Sequence, residues 1–274
     1  MEKAKFAYTV WQWGTESKDQ FVQSLRDITE AGYDTFESVK AAINVYDHDP
    51  KAFMKTCRDF GVKPNGFYFH LTGNWDEDVN EFEKKLPFMA TCDIHRLNFQ
   101  ATGMNGKLHA SPEVLQYNLR VLDTVSKLAY KYDIMPCVHP HHNTAVMFED
   151  EIDFIMQNTD PAYVGFGPDT AHLTAGQCDP VAVIRKYSAR VGFTHMKDIA
   201  SINVESEGYA SGVEVYGNFR ELGEGIVDFP SVFKVLDDAG YDGYLTAELD
   251  LSRFSNKESA IMSMRYFKTH YKQG

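Results

Sequence analysis

A set of side chains able to grip a metal ion or move a proton stands out by type and spacing: His139, His141, Asp169, His172, His195 and Glu248. Each lies at or just beyond the end of a short apolar run. Residues 163–167 lead into Asp169 and His172, and residues 191–194 lead into His195, Lys197 and Asp198. Between them Asp179-Pro180 opens a helix, an N-cap followed by a proline at the first helical position. Strand side chains alternate, so residues two apart share a face. That rule aligns Cys137, His139 and His141; Gly165, Gly167 and Asp169; Phe193, His195 and Lys197; and Tyr244, Thr246, Glu248 and Asp250. Four consecutive strand tips thus present His139, Asp169, His195 and Glu248. Two imidazoles and two carboxylates form a borderline-hard shell for one divalent ion: Mn, Fe, Co, Ni or Zn.

The same placement suggests roles for the neighbours. His141 and His172 lie just past the expected ligands and are open to acid/base work. Lys197 shares a face with His195 and is expected to hold a substrate oxygen, and Glu248 is counted with the catalytic groups as well as the ligands. Glu37, His70, Asn98 and Gln100 end earlier strands and are expected to contact sugar hydroxyls. His142 is turned away by alternation, and Trp11 and Trp13 are read as barrel filling. A lone histidine at a strand end is ordinarily a packed residue. Recurrence at successive tips is what points to a site.

The elements that must carry these residues alternate. Strands are expected at 5–13, 33–38, 62–70, 94–100, 134–139, 163–167, 191–194 and 244–248. Helical spacing fills the intervals, with helices at 76–86, stopped by Pro87, at 113–132 and at 256–272 among others. Residues 199–227 read as a long glycine-bearing loop. Eight strand–helix repeats in 274 residues fit a single (β/α)8 TIM barrel, one domain over 1–274. An internal echo supports it: residues 30–37 and 238–248 both read as helix end, AGYD turn, strand and terminal Glu.

Composition narrows the class. A net charge of −12 argues against a nucleic-acid partner. No apolar run reaches membrane-spanning length, and the first residues lack a signal-peptide core. Cys57, Cys92, Cys137 and Cys178 form no C-x-x-C pair, as expected of reduced thiols in a cytoplasmic enzyme. Homo-oligomer formation is left open.

PDTAH at 168–172, HMKD at 195–198, LGEGIVDF at 222–229 and GYDGYLTAELD at 240–250 resemble the xylose-isomerase-like TIM-barrel superfamily of sugar isomerases, epimerases and dehydratases. HPHHNT at 139–144 with DTAHLTAGQCDP at 169–180 is most similar to the inosose dehydratase branch, which removes water from 2-keto-myo-inositol. The resemblance is strongest over residues 130–250. It implies one divalent metal on Glu, Asp, His and Glu from strands five to eight. Asp169, His195 and Glu248 match three of these, and His139 stands where the first Glu is usual. His141 and His172 match histidines that commonly follow the first two ligands. The superfamily also holds a DNA-repair endonuclease, a branch the acidic charge disfavours.

The expected reaction is elimination from a keto-polyol or keto-sugar, a lyase step through a metal-stabilised enediolate, with His141 or His172 taking the proton beside the ketone and the other serving the leaving oxygen. Replacing a carboxylate by His139 leaves the shell neutral against a 2+ ion and removes one carboxylate base. The alternatives are a keto-sugar isomerase or epimerase using the same site, and a non-catalytic sugar-binding accessory barrel.

Overall fold

The computed structural model describes residues 5–271. Its centre is an eight-stranded sheet in which every neighbouring pair is parallel. The strands are β1 (Lys5–Thr9), β2 (Thr35–Val39), β3 (Lys63–His70), β4 (Arg96–Gln100), β5 (Met135–His139), β6 (Gly165–Phe166), β7 (His195–Met196) and β10 (Tyr244–Ala247). The order β6-β5-β4-β3-β2-β1-β10-β7 closes through single parallel bridges, Phe166 to Val191 and Asp169 to His195. This is the (β/α)8-type barrel read from the alternation. Parallel strands are covered on both faces. Phe36, Phe67, Leu97, Val138 and Leu245 belong to the main apolar core, while Glu37, Asn98, Cys137 and His139 alternate with these residues on β2, β4 and β5.

The structure corrects several boundaries. β1 stops at Thr9, and Trp11–Trp13 form a 3-10 turn. β7 is His195–Met196 instead of 191–194. The earlier residues touch β6 at one bridge only, and it is the Thr194 hydroxyl that donates to the Tyr244 carbonyl. Pro87 does not end its helix, which runs Trp75–Thr91. Phe88 and Met89 extend the buried face of Phe82 and Leu86, and that burial outweighs one missing N–H. The last helix is Asn256–His270; Lys272 lies outside the described residues.

The stretch read as a loop after β7 has structure of its own. β8 (Asp198–Ile199) and β9 (Phe219–Arg220) pair antiparallel, with short helices Glu207–Ser211 and Val213–Asn218 between them. Tyr209, Val215 and Phe219 form a second apolar cluster with Met147, Phe148, Ala171, Ala175 and Leu249, so this segment docks on the C-terminal end of the barrel. Asp198 fastens the base of the next turn: its carboxylate accepts from the backbone N–H of Ile199, Gly223, Gly225 and Val227 at 2.9–3.1 Å. A Cβ on Gly225 would fall 2.4 Å from Asp198 Oδ1, which explains the second glycine of LGEGIVDF.

Candidate active site

The strand tips are fixed by backbone bonds from one strand to the next. Gly167 N–H donates to Val138, His195 N–H to Pro168 and Glu248 N–H to Met196. Asp169 caps the helix Thr170–Ala175: Oδ1 accepts from the His172 N–H at 2.8 Å. One residue thereby ends a strand, starts a helix and keeps its second oxygen for other work.

His139, Asp169, His195 and Glu248 are all buried, at 0–5% exposure. Each keeps one polar atom without a hydrogen-bond partner: His139 Nε2, Asp169 Oδ2, His195 Nδ1 and Glu248 Oε2. Buried polar atoms are rarely left so. The other imidazole nitrogens are engaged. His139 Nδ1 lies 3.1 Å from the Gly167 carbonyl, and His195 Nε2 donates to Glu37 Oε2. The Gly167 carbonyl can only accept, so His139 carries its hydrogen on Nδ1 and points the Nε2 lone pair inward; a Glu37 carboxylate holds the Nε2 hydrogen of His195, and a neutral His195 then turns an Nδ1 lone pair inward. His139, Asp169 and His195 offer atoms within 4.8 Å of one another, and Asp169 joins Glu248 and His172 in an overlapping group. His195 Nδ1 and Glu248 Oε2 lie 2.6 Å apart, and burial of this ring is outweighed by Glu37 and Glu248, which hold it above the usual imidazole range, so the space between the two atoms suits a proton or a cation. Lone pairs converging in this way, behind outer hydrogen bonds that fix the tautomers, fit a single divalent cation. His139 accordingly fits where the resemblance led to a glutamate.

The remaining residues separate into two groups. Glu37 and Asn98 were expected to meet substrate; both are fully buried and serve His195. Asn98 Nδ2 donates to Glu37 Oε1 at 2.8 Å, and the carboxylate is filled by these two contacts. Burial raises the Glu37 carboxyl, against the downward pull of His195. Gly167 leaves the space that Asn98 occupies: a Cβ there would sit 2.6 Å from Asn98 Oδ1. His70 and Gln100 line a cavity of about 250 Å³ with Trp11, Val39, Tyr68, His141, Tyr216, Glu248 and Asp250. Trp11 is therefore a wall of this cavity instead of barrel filling. A larger cavity, about 610 Å³, opens among Lys63, Asn65, His95, Arg96 and Tyr244, residues at the starts of the strands. It contains none of these candidates.

His141 reaches the cavity and His172 does not. His172 is fully buried, its ring 3.7 Å from that of His141. Its Nδ1 accepts from the His142 N–H, and its Nε2 faces Lys197 Nζ at 3.2 Å. With the Nδ1 lone pair taken by the His142 N–H, the neutral ring keeps its single hydrogen on Nε2, and burial, then His141 and Lys197, push its pKa well below the usual range. Burial, with Lys197 second, lowers His141 to about 3. Lys197 itself has no exposure: Nζ lies 2.8 Å from Glu248, 2.6 Å from Asp250 and 4.2 Å from the Phe219 ring centre. Burial acts to lower it, but Asp250, Glu248 and Asp169 together hold it above its ordinary value. His142 is turned away, as alternation implied; its Nε2 lies 2.5 Å from the Tyr209 carbonyl in the docked segment.

Sequence reasoning missed Tyr68, Tyr216 and the acidic Asp250 as cavity walls. Asp250 continues the Glu248 face, which the period of two already marked. Tyr216 lies in a segment with no strand or helix signal of its own.

Comparison with known proteins places the chain in a family. The xylose isomerase-like TIM barrel family matches residues 25–270. An inosose dehydratase of Clostridium perfringens is 36% identical over 272 residues, covering 92% of this chain and 90% of that protein. An inosose dehydratase of Erwinia tasmaniensis is 29% identical, covering 92% and 91%. A crystal structure of a probable 3-DHS dehydratase from Bacillus anthracis superposes with a TM-score of 0.78 at 14% identity, over 98% of this chain and all of that one, a likeness of fold. This chain belongs to the xylose isomerase-like TIM barrel family.

Proposed function

We propose that the protein is a divalent-metal-dependent carbon–oxygen lyase acting on a keto-polyol or keto-sugar. The observation that carries this is the convergence of unpartnered atoms from His139, Asp169, His195 and Glu248 beneath a cavity walled by a neutral histidine. The inosose dehydratase relatives supply the reaction class. A cation held by these four supplies Lewis acidity toward a ketone oxygen. The chain supplies the rest. His141 has its proton fixed on Nδ1, which lies 2.8 Å from the His142 carbonyl, so Nε2 presents a lone pair that can take the proton beside the ketone. His172 backs that ring. Lys197 compensates Glu248 and Asp250. Trp11, Tyr68, His70 and Gln100 offer ring faces and hydrogen bonds to a hydroxylated substrate.

We further read residues 1–274 as one domain of a cytoplasmic enzyme with no nucleic-acid partner; any self-association is a matter for solution measurement. Among the described residues no helix is long and apolar enough to cross a membrane. The test is metal analysis of the purified protein, then a screen of keto-inositols and 3-keto-glucosides for an absorbing enone. Enone formation that a chelator abolishes supports the proposal. Uptake of deuterium from solvent with no elimination would make the protein an isomerase or epimerase instead. A metal-free, inert preparation would leave a sugar-binding barrel.

A further inference from the structure

The docked segment brings one polar atom to the reaction cavity that the scheme above does not use. Tyr216, in the short helix Val213–Asn218, lines the cavity and places its hydroxyl 3.2 Å from His141 Nε2. The tautomer sets the direction of this bond. Since His141 Nδ1–H faces the His142 carbonyl, Nε2 accepts and the phenol donates. The ring is held edge-on against Phe219, at 5.3 Å between centres, and Phe219 lies over Lys197. Burial raises the phenol above its ordinary range, so it stays protonated near neutrality. Tyr216 is thus a proton donor adjoining an imidazole that reaches the cavity and offers a lone pair.

We propose that Tyr216 is the catalytic residue that protonates the departing oxygen, with His141 as its partner across the 3.2 Å contact. The inference rests on the lyase reading above. The proton on the carbon beside the ketone passes to His141 Nε2. The electrons of that C–H bond form the new C=C as the C–O bond two atoms from the ketone breaks. The Tyr216 O–H bond then breaks in favour of the leaving oxygen, which departs as water or an alcohol. The proton held on His141 Nε2 returns to the tyrosinate, restoring both groups. Nothing is oxidised or reduced, and no co-reactant is needed. One face of the substrate loses both proton and oxygen, because donor and acceptor are neighbours.

The experiment compares Tyr216→Phe with the wild type, both loaded with metal, on 3-keto-glucosides of falling leaving-group basicity. The ring and its packing on Phe219 are kept, and metal content with a thermal melt checks the fold. For water or an alkyl alcohol as leaving group, turnover should fall about 10²–10⁴-fold, the usual contribution of a general acid. For 4-nitrophenoxide, which departs without a proton, the loss should be less than about tenfold. In deuterated water the variant should exchange substrate hydrogen faster than it eliminates. Equal losses across the series, or none, would overturn the role of Tyr216 while leaving the lyase reading intact. A wild type that neither exchanges nor eliminates with any keto-substrate would overturn the lyase reading itself, and the inference with it.

Discussion

His195 and Glu37 are 158 residues apart and meet inside the barrel, where the His195 Nε2–H is donated to Glu37 Oε2. The contact decides which nitrogen of His195 is left for a metal. A carboxylate behind a ligating imidazole also makes the ring more basic and fixes its plane. Glu37→Ala should therefore weaken metal binding by about 10–100-fold without touching a ligand. Competition with a chelator of known affinity measures it. Unchanged affinity would mean that Asn98 and the barrel wall suffice to hold the ring.

Asp169→Ala and Glu248→Ala should each abolish bound metal and turnover together. Asp169→Ala should carry an extra cost of about 1 kcal/mol, because Oδ1 also caps the helix Thr170–Ala175. Metal analysis, activity and denaturant unfolding of the metal-free proteins separate the two effects. Full turnover in a metal-free variant would contradict the proposed chemistry.

A pH effect follows from His141, whose folded value is lowered to about 3, by burial first and by Lys197 second. In the unfolded chain the imidazole titrates near 6.5. Between those values the unfolded state binds the extra proton, so this residue makes stability rise with pH over that window. His141→Gln removes the contribution. Going from pH 7 to pH 5, the metal-free wild type should lose roughly 2 kcal/mol more than the variant. Urea unfolding at the two pH values reads the difference, and parallel losses would show that His141 charges normally in the fold.

Asp198→Ala should destabilise the protein by about 3 kcal/mol, since it strands the N–H groups of Ile199, Gly223, Gly225 and Val227 together. The turn at 222–227 should become the first site of limited proteolysis. Melting near the wild-type temperature would show that water replaces the carboxylate at little cost.

The convergence of His139, Asp169, His195 and Glu248 was legible because a period of two and a strand-tip position suffice to align them. The outer partners were not. Glu37 and Asn98 also end strands, and at that level nothing separates a residue facing substrate from one buried behind His195. That distinction depends on the space opened by Gly167 and on contacts between β2, β4 and β7. The docked segment was hidden for a different reason. Its helices Glu207–Ser211 and Val213–Asn218 are too short to show periodicity, and Tyr209 and Phe219 are buried only because the barrel end receives them. Pro87 was overread: local backbone preference gave way to the burial of Phe88 and Met89.

The ring of strands is sewn unevenly. Most neighbours share runs of paired residues, but β6 meets the chain entering β7 at just two isolated points, Phe166 with Val191 and Asp169 with His195. Asp169 and His195 flank that thin seam and also belong to the cation cluster. An ion gripped there doubles as a rivet at the cylinder's weakest join. Stripping it should make amide hydrogens along residues 165–169 and 191–196 exchange sooner than those of β2 and β3.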